Sequence, residues 1–344
     1  MSTLTQAALV SKKAFFWTLI IFAIVIAVLV FLGIGKSIKQ TLFPPAPTPA
    51  LVAFGKLPKV DLSGGFVAPA STYEAQTISG NFSVNSTSAK VFKIFSPTPS
   101  FSDTANLRAK VEALGFDWAP TTTADGSFKF TKQGKSLTIN QYGNNFTLET
   151  DYAANSSILS SNPGDVKAAI DTAYAFFSSS GLDLENYPKD KIETRTLKID
   201  GSTLSATTST SGANLVEVTL NYGDLDKLPV IWAKKNPGGI YALVWQGQVV
   251  FAKVVRVPIL KNEFSTYTLR PVTSAYEDLK NGLGFFNTPL NSGNNVVLNA
   301  SLGYVIGDKT GDYLQPVYIF KLANGVLGYV SAVDNSWIST TSGK

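Results

Sequence analysis

The residues able to do chemistry in this chain are carboxylates, amines and hydroxyls, because its 344 residues include neither cysteine nor histidine. That absence excludes thiol nucleophiles, disulfides, Cys- or His-ligated zinc, a Ser-His-Asp triad and a histidine pH switch. Three acidic groupings remain to be weighed. Asp308-Lys-Thr-Gly-Asp312 sets two carboxylates around a turn, but it lacks the ligand spacing and terminal bidentate Glu of a calcium loop and reads as a solvated turn. Glu277-Asp278 are adjacent, so on a helix they diverge by about 100° and suit its surface. Asp224 and Asp226 could converge across a turn, yet nothing beside them positions a glycosidic bond or activates a water. No Ser-x-x-Lys stands in a context that would make it a peptidase. The sequence therefore names no catalytic residue, metal ligand or cofactor. The 29 basic and 24 acidic side chains are interspersed, and the formal charge of +5 gives no reason to expect a nucleic-acid partner.

Aromatic residues are the better candidates. Trp232, Tyr241, Trp245 and Phe251 surround a strong strand pattern, Ile240-Tyr-Ala-Leu-Val-Trp245, whose alternation puts Tyr241 and Trp245 on one side while Trp232 and Phe251 approach from neighbours. Core packing is the first reading of such a cluster. An exposed groove for a protein or an envelope polymer is the second, and solvent exposure separates them.

Several elements must position these residues. Residues 1–13 read as a cytoplasmic tail. Residues 14–34 form an uncharged apolar run of 21 residues, long enough as a helix to span a bilayer core of roughly 30 Å, so a single transmembrane helix in contact with lipid is expected there. Lys12 and Lys13 against Lys36 and Lys39 bias the N-terminus to the inside. This places the protein in the cell membrane with its C-terminal region outside the cytoplasm. Residues 35–70, with prolines at 44, 45, 47 and 49, read as spacer and loop. Residues 71–155 suggest a small α+β domain, with strands at 81–84 and 89–95, a helix at 102–114 and a meander through 127–149. Residues 163–344 suggest a composite α+β domain. It opens on an amphipathic helix at 165–177, passes through a hairpin-rich middle with a polar break at 200–214, and ends in a helix at 274–280 followed by a meander. The fold class expected is α+β, built of helix-plus-antiparallel-sheet units behind the anchor.

Near the C-terminus, Arg270-Pro-Val-Thr-Ser-Ala-Tyr-Glu-Asp-Leu-Lys-Asn-Gly282, Leu314-Gln-Pro-Val-Tyr-Ile-Phe320 and Tyr329-Val-Ser-Ala-Val-Asp334 resemble the carboxy-terminal modules of bacterial membrane-anchored regulatory proteins of the YycH and YycI type and, more loosely, PepSY-like modules. The resemblance spans about 65 residues. It implies a non-catalytic extracytoplasmic protein that acts through contacts with an envelope protein partner. On the residues themselves, Tyr276, Tyr318 and Tyr329 are partly buried tyrosines that could also form a recognition face. The leading expectation is thus a membrane-anchored extracytoplasmic binding or regulatory protein without turnover. A scaffold or assembly subunit of an envelope complex is the alternative, and an enzyme of unrecognised type is the third. A binding module should show an exposed aromatic groove, a scaffold an unpaired sheet edge or extended face, and an enzyme convergent polar groups in a deep pocket.

Overall fold

The computed structural model describes Trp17, Phe22 and residues 50–339, apart from 61–64, 68, 70–71, 78–79, 96–100, 144, 236–237, 291–292 and 308–310. Among the described residues no helix is long and apolar enough to cross a membrane. The expected single-pass anchor is corrected accordingly, and with it the bilayer contact, the inside–outside topology, the cell-membrane placement and the envelope partners inferred from it. Of the run 14–34 only Trp17 and Phe22 are described, both helical and both 63% exposed; the rest of that run, the flanking lysines and the prolines at 44–49 lie outside the described residues.

The compact unit beginning at Ala50 is mixed α+β. In chain order it comprises β1 (Phe66–Val67), β2 (Thr72–Ala75), β3 (Ser88–Ile94), α1 (Phe101–Ala113), β4 (Thr121–Thr122), β5 (Phe128–Lys132), β6 (Lys135–Ile139), β7 (Phe146–Thr150), the single turn α2 (Ser156–Leu159) and α3 (Val166–Ser179). There follow β8 (Glu193–Asp200), β9 (Thr203–Thr207), β10 (Leu215–Thr219), β11 (Val230–Trp232), β12 (Ile240–Trp245), β13 (Gln248–Val254), β14 (Ile259–Thr268), α4 (Val272–Lys280), β15 (Phe285–Phe286), β16 (Asn294–Ile306), β17 (Tyr313–Leu314), β18 (Pro316–Leu322) and β19 (Leu327–Ser331).

A nine-stranded antiparallel sheet, curled as a half barrel, has the order β4-β5-β6-β7-β13-β12-β10-β8-β9. A second sheet runs β1-β15-β19-β18-β16-β11, with β2 also on β16; a third runs β14-β3-β17. The expected purely antiparallel units are corrected here too, because β2 and β11 both lie parallel to β16. Residues 71–155 and 163–344 share one sheet, joined where β7 pairs with β13. The strand expected at 81–84 is irregular backbone, the polar break at 200–214 contains β9, and the two strands expected near 296–298 and 303–307 are one 13-residue strand, β16.

Local chemistry accounts for the helix that covers the large sheet. Asp165 accepts the Ala168 amide at 2.8 Å and caps α3, whose Ala169, Ala173 and Phe177 recur every four residues and are buried. Gly181, at φ +80, ends it. This stripe packs with Val216, Val218, Ala242, Val244, Ala252 and Val254 of the sheet to form the largest core. Register in the flanking hairpins is set by two Gln-Gly turns, Gln133-Gly134 and Gln246-Gly247. All four residues have positive φ, the type I′ geometry that matches strand twist.

At the sheet's other end α1 buries Leu107 and Val111 and turns Lys110 inward. Its amine donates to the Gly143 carbonyl at 2.7 Å and lies 5.2 Å from the centre of the Phe146 ring. Burial, with the nearby Arg256 charge second, lowers its pKa from 10.5 to about 8. Between these values the unfolded lysine holds a proton that the folded one releases, so this group makes stability rise with pH. Tyr222 and Tyr241, pushed up to about 12 by burial, reverse the trend once unfolded tyrosines ionise near 10. Urea unfolding from pH 7 to 10 should therefore show a rise in stability above pH 8 that Lys110→Met removes. An identical pH profile for the two proteins would refute this assignment.

Candidate functional site: an aromatic face beside an open strand edge

Strand alternation in β12 sends Ala242 and Val244 toward α3 and Tyr241, Leu243 and Trp245 to the opposite face. There Tyr241 stacks on Phe251 at 5.4 Å and 25°, and Tyr152 meets Phe251 edge-on at 6.4 Å. The Trp245 indole N–H donates to the Ser161 hydroxyl at 2.9 Å. Beneath these half-exposed rings Leu197, Leu215, Leu243 and Val250 are buried. Asn214 secures one end of the face. Its amide donates to the carbonyls of Ile158 (3.1 Å) and Leu159 (3.2 Å), its oxygen accepts the Ile199 N–H (3.0 Å), and so α2 is tied to the sheet with Ile158 packed inward.

The structure thus brings together Tyr241, Trp245 and Phe251 but not Trp232. Trp232 ends β11, which pairs with β16 in the second sheet, and it is 9% exposed. The Gly238-Gly239 backbone lies against its ring so closely that a Cβ would stand 2.6 Å from the ring at Gly238 and 2.4 Å at Gly239. The three C-terminal tyrosines make no common face. Tyr276 donates to the Tyr73 carbonyl at 2.9 Å and packs on Phe82. Tyr318 donates to the Arg270 carbonyl at 2.6 Å. Tyr329 is fully buried, its hydroxyl without a hydrogen-bond partner among the described residues, and the register Tyr318↔Val330, Ile319↔Tyr329 points Tyr318 and Tyr329 to opposite sides.

The aromatic face also carries a charged pair. The row Phe251–Leu243–Glu217–Arg195 crosses four strands, and its last two members form a bidentate ion pair, Nε to Oε1 at 2.9 Å and Nη2 to Oε2 at 2.7 Å. The Glu217 side chain is 5% exposed and that of Arg195 30%. With Tyr152, Tyr241, Leu197 and Leu204 they line a hollow of about 300 Å³. Burial raises the Tyr241 pKa, and the Glu217 charge adds to it. A lone Glu in an apolar strand, Leu215-Val-Glu-Val-Thr219, was the available signal; its partner 22 residues away is visible only once β8 and β10 are paired.

A second hollow, of about 420 Å³, is lined by Trp232 and Tyr329 together with Tyr222, Asn287, Lys191 and Asp224. Lys191 pairs with Asp224 at 3.0 Å, and Asp226 turns away to Lys90, also at 3.0 Å, so the two aspartates do not converge. Among the described residues no group of three or more acidic side chains could hold a metal ion. Asp308 of the 308–312 turn lies outside them.

The aromatic face ends at β9, and this edge differs from the others. Natural sheets blunt their edges with short strands, charges, proline or bulges. β1, β4 and β17 have two residues each and β11 three. β2 carries Glu74, and β14 carries Lys261, Glu263 and a bulge between Leu260 and Phe264. β9, Thr203-Leu-Ser-Ala-Thr207, has no charge, proline or bulge, four of its five residues are exposed, and no described element pairs with its outer side. The two-residue turn Gly201-Ser202 closes on the pair Asp200↔Thr203. Hydrogen-bonded pairs alternate from there, so Thr203, Ser205 and Thr207 bond to β8 while the N–H and C=O of Leu204 and Ala206 point outward.

Breaking the buried ion pair from one side should cost more than removing it whole. Arg195→Met leaves the Glu217 carboxylate buried and unpaired. In chemical denaturation it should destabilise by an amount approaching the roughly 3–5 kcal/mol of a fully buried pair, and Arg195→Met/Glu217→Leu should recover most of that loss. A double variant as unstable as Arg195→Met would show that the charge is not what the face must compensate.

No family model matches this chain, and no curated protein matches it. Among solved structures it is similar to an uncharacterized protein from Eubacterium rectale ATCC 33656, at a TM-score of 0.39 and 13% identity over 78% of this chain and 84% of that one.

Proposed function

We propose that this chain is a scaffold or assembly subunit that acts through contact, without chemical turnover. The unguarded edge of β9 supports this reading. A strand that exposes two outward N–H and two outward C=O groups, with nothing on it to repel a partner, offers main-chain pairing to an added strand, while the aromatic face beside it offers side-chain contact. No helix among the described residues could span a bilayer, which overturns the membrane-anchored regulatory role expected from the apolar run.

Main-chain pairing tolerates many sequences, so a generic probe tests the edge. A labelled Thr-Val-Thr-Val-Thr peptide, N-methylated along one edge so that it pairs only once, should bind the full chain saturably in fluorescence anisotropy. Ala206→Pro removes an outward N–H and leaves the β8–β9 ladder intact. It should weaken binding at least tenfold without changing the melting temperature by more than a degree or two. No binding to the unsubstituted chain, or equal binding to both, would count against docking at this edge.

A further inference from the structure

We infer that the strand received at this edge is β9 of a second copy of the chain, paired antiparallel about a two-fold axis at Ser205. The inference rests on the edge-docking reading and adds the partner and its register. Thr203-Leu-Ser-Ala-Thr207 has the same polar–apolar pattern read in either direction. Centred on Ser205, the pairs are Thr203 with Thr207, Leu204 with Ala206 and Ser205 with itself across the axis. Hydroxyls then meet hydroxyls on one face, a large apolar side chain meets a small one on the other, and no charge opposes a like charge, all favourable cross-strand combinations.

Hydrogen-bond parity is satisfied in this register. Leu204 and Ala206 carry the outward N–H and C=O groups, and in this register they face each other as hydrogen-bonded pairs, giving four inter-chain bonds with Ser205 as the non-hydrogen-bonded pair at the axis. Registers centred on Leu204 or Ala206 leave part of β9 unpaired. The Leu204 side chain also lines the hollow holding the Arg195–Glu217 pair, so pairing would join the aromatic faces of two copies into one surface across an isologous interface. Five residues per strand fall short of the roughly 1,200 Å² of a stable interface, so the dimer should be weak and concentration-dependent.

The cysteine-free sequence makes the register directly testable in the full-length chain. In Ser205→Cys the two introduced thiols sit on a non-hydrogen-bonded pair, with Cα atoms roughly 4.5 Å apart, inside the range a disulfide spans. In Thr207→Cys they are four residues out of register, roughly 13 Å apart along the strand, and cannot be bridged. Under mild oxidation at equal concentration, Ser205→Cys should form the inter-chain disulfide at least tenfold faster than Thr207→Cys, and adding Ala206→Pro should abolish the difference. Equal rates, or a rate indifferent to Ala206→Pro, would overturn self-pairing. If the probe strand binds while Ser205→Cys does not cross-link, the edge receives a different strand; if neither occurs, the docking reading falls with it.

Discussion

The pairing of β7 with β13 is the interaction on which the rest of the structure depends. It matches Phe146–Glu149 with Phe251–Val254, residues about a hundred positions apart, and so welds a local meander and a distant hairpin group into one nine-stranded sheet. Closing so long a loop costs entropy that only a large buried surface offsets. The sheet supplies that surface twice. Its Val216–Val218, Ala242–Val244 and Ala252–Val254 side packs on α3, and its Leu197, Leu215, Leu243 and Val250 side is covered by aromatic rings and by Ile158 of α2. A one-residue slip in the joining register would exchange these sides along β13.

Charge is placed according to the same logic. Most ion pairs of the described residues, such as Arg108–Glu112 and Lys189–Asp171, stand in solvent on both sides and contribute little. Arg195–Glu217 is different because Glu217 occupies a position that strand alternation assigns to an apolar face. Its carboxylate is tolerated there through two hydrogen bonds to one guanidinium, a geometry lysine could not reproduce. The pair sits next to β9, an edge that lacks the usual guards among the described residues, so polarity, aromatic surface and outward backbone groups occur together.

The contrast with the 420 Å³ hollow is instructive. That hollow holds more ionisable groups, yet its aromatic residues are committed to packing: Trp232 against two glycines, Tyr329 wholly inside. Lys191 and Asp224 neutralise each other at its rim. The sequence grouped Trp232 with Tyr241, Trp245 and Phe251, and only the last three keep their rings half open to solvent, beside the backbone groups of β9.

By itself the sequence determined the α+β class, the three main helices to within about two residues, and the meander and hairpin strands. These follow from local periodicity, caps and turns: Asp165 before an every-fourth-residue apolar stripe, Gly-bearing turns between alternating runs. It determined as well that no thiol or imidazole chemistry is available. It did not reveal β9, whose single Leu among Thr, Ser and Ala carries almost no periodic signal, nor the continuity of β16 through Asn299 and Gly303. The anchor drawn from residues 14–34 rested on hydropathy alone. Which aromatics share a face was decided by tertiary structure. Tyr241 and Phe251 meet because a hairpin pairs their strands, whereas Trp232 belongs to a strand that found β16, about 75 residues later, as its parallel partner. Local sequence specifies which way a side chain points along its own strand. The neighbour that strand acquires is chosen by burial summed over the whole chain, and the edge left without a neighbour exists only after that sum is complete.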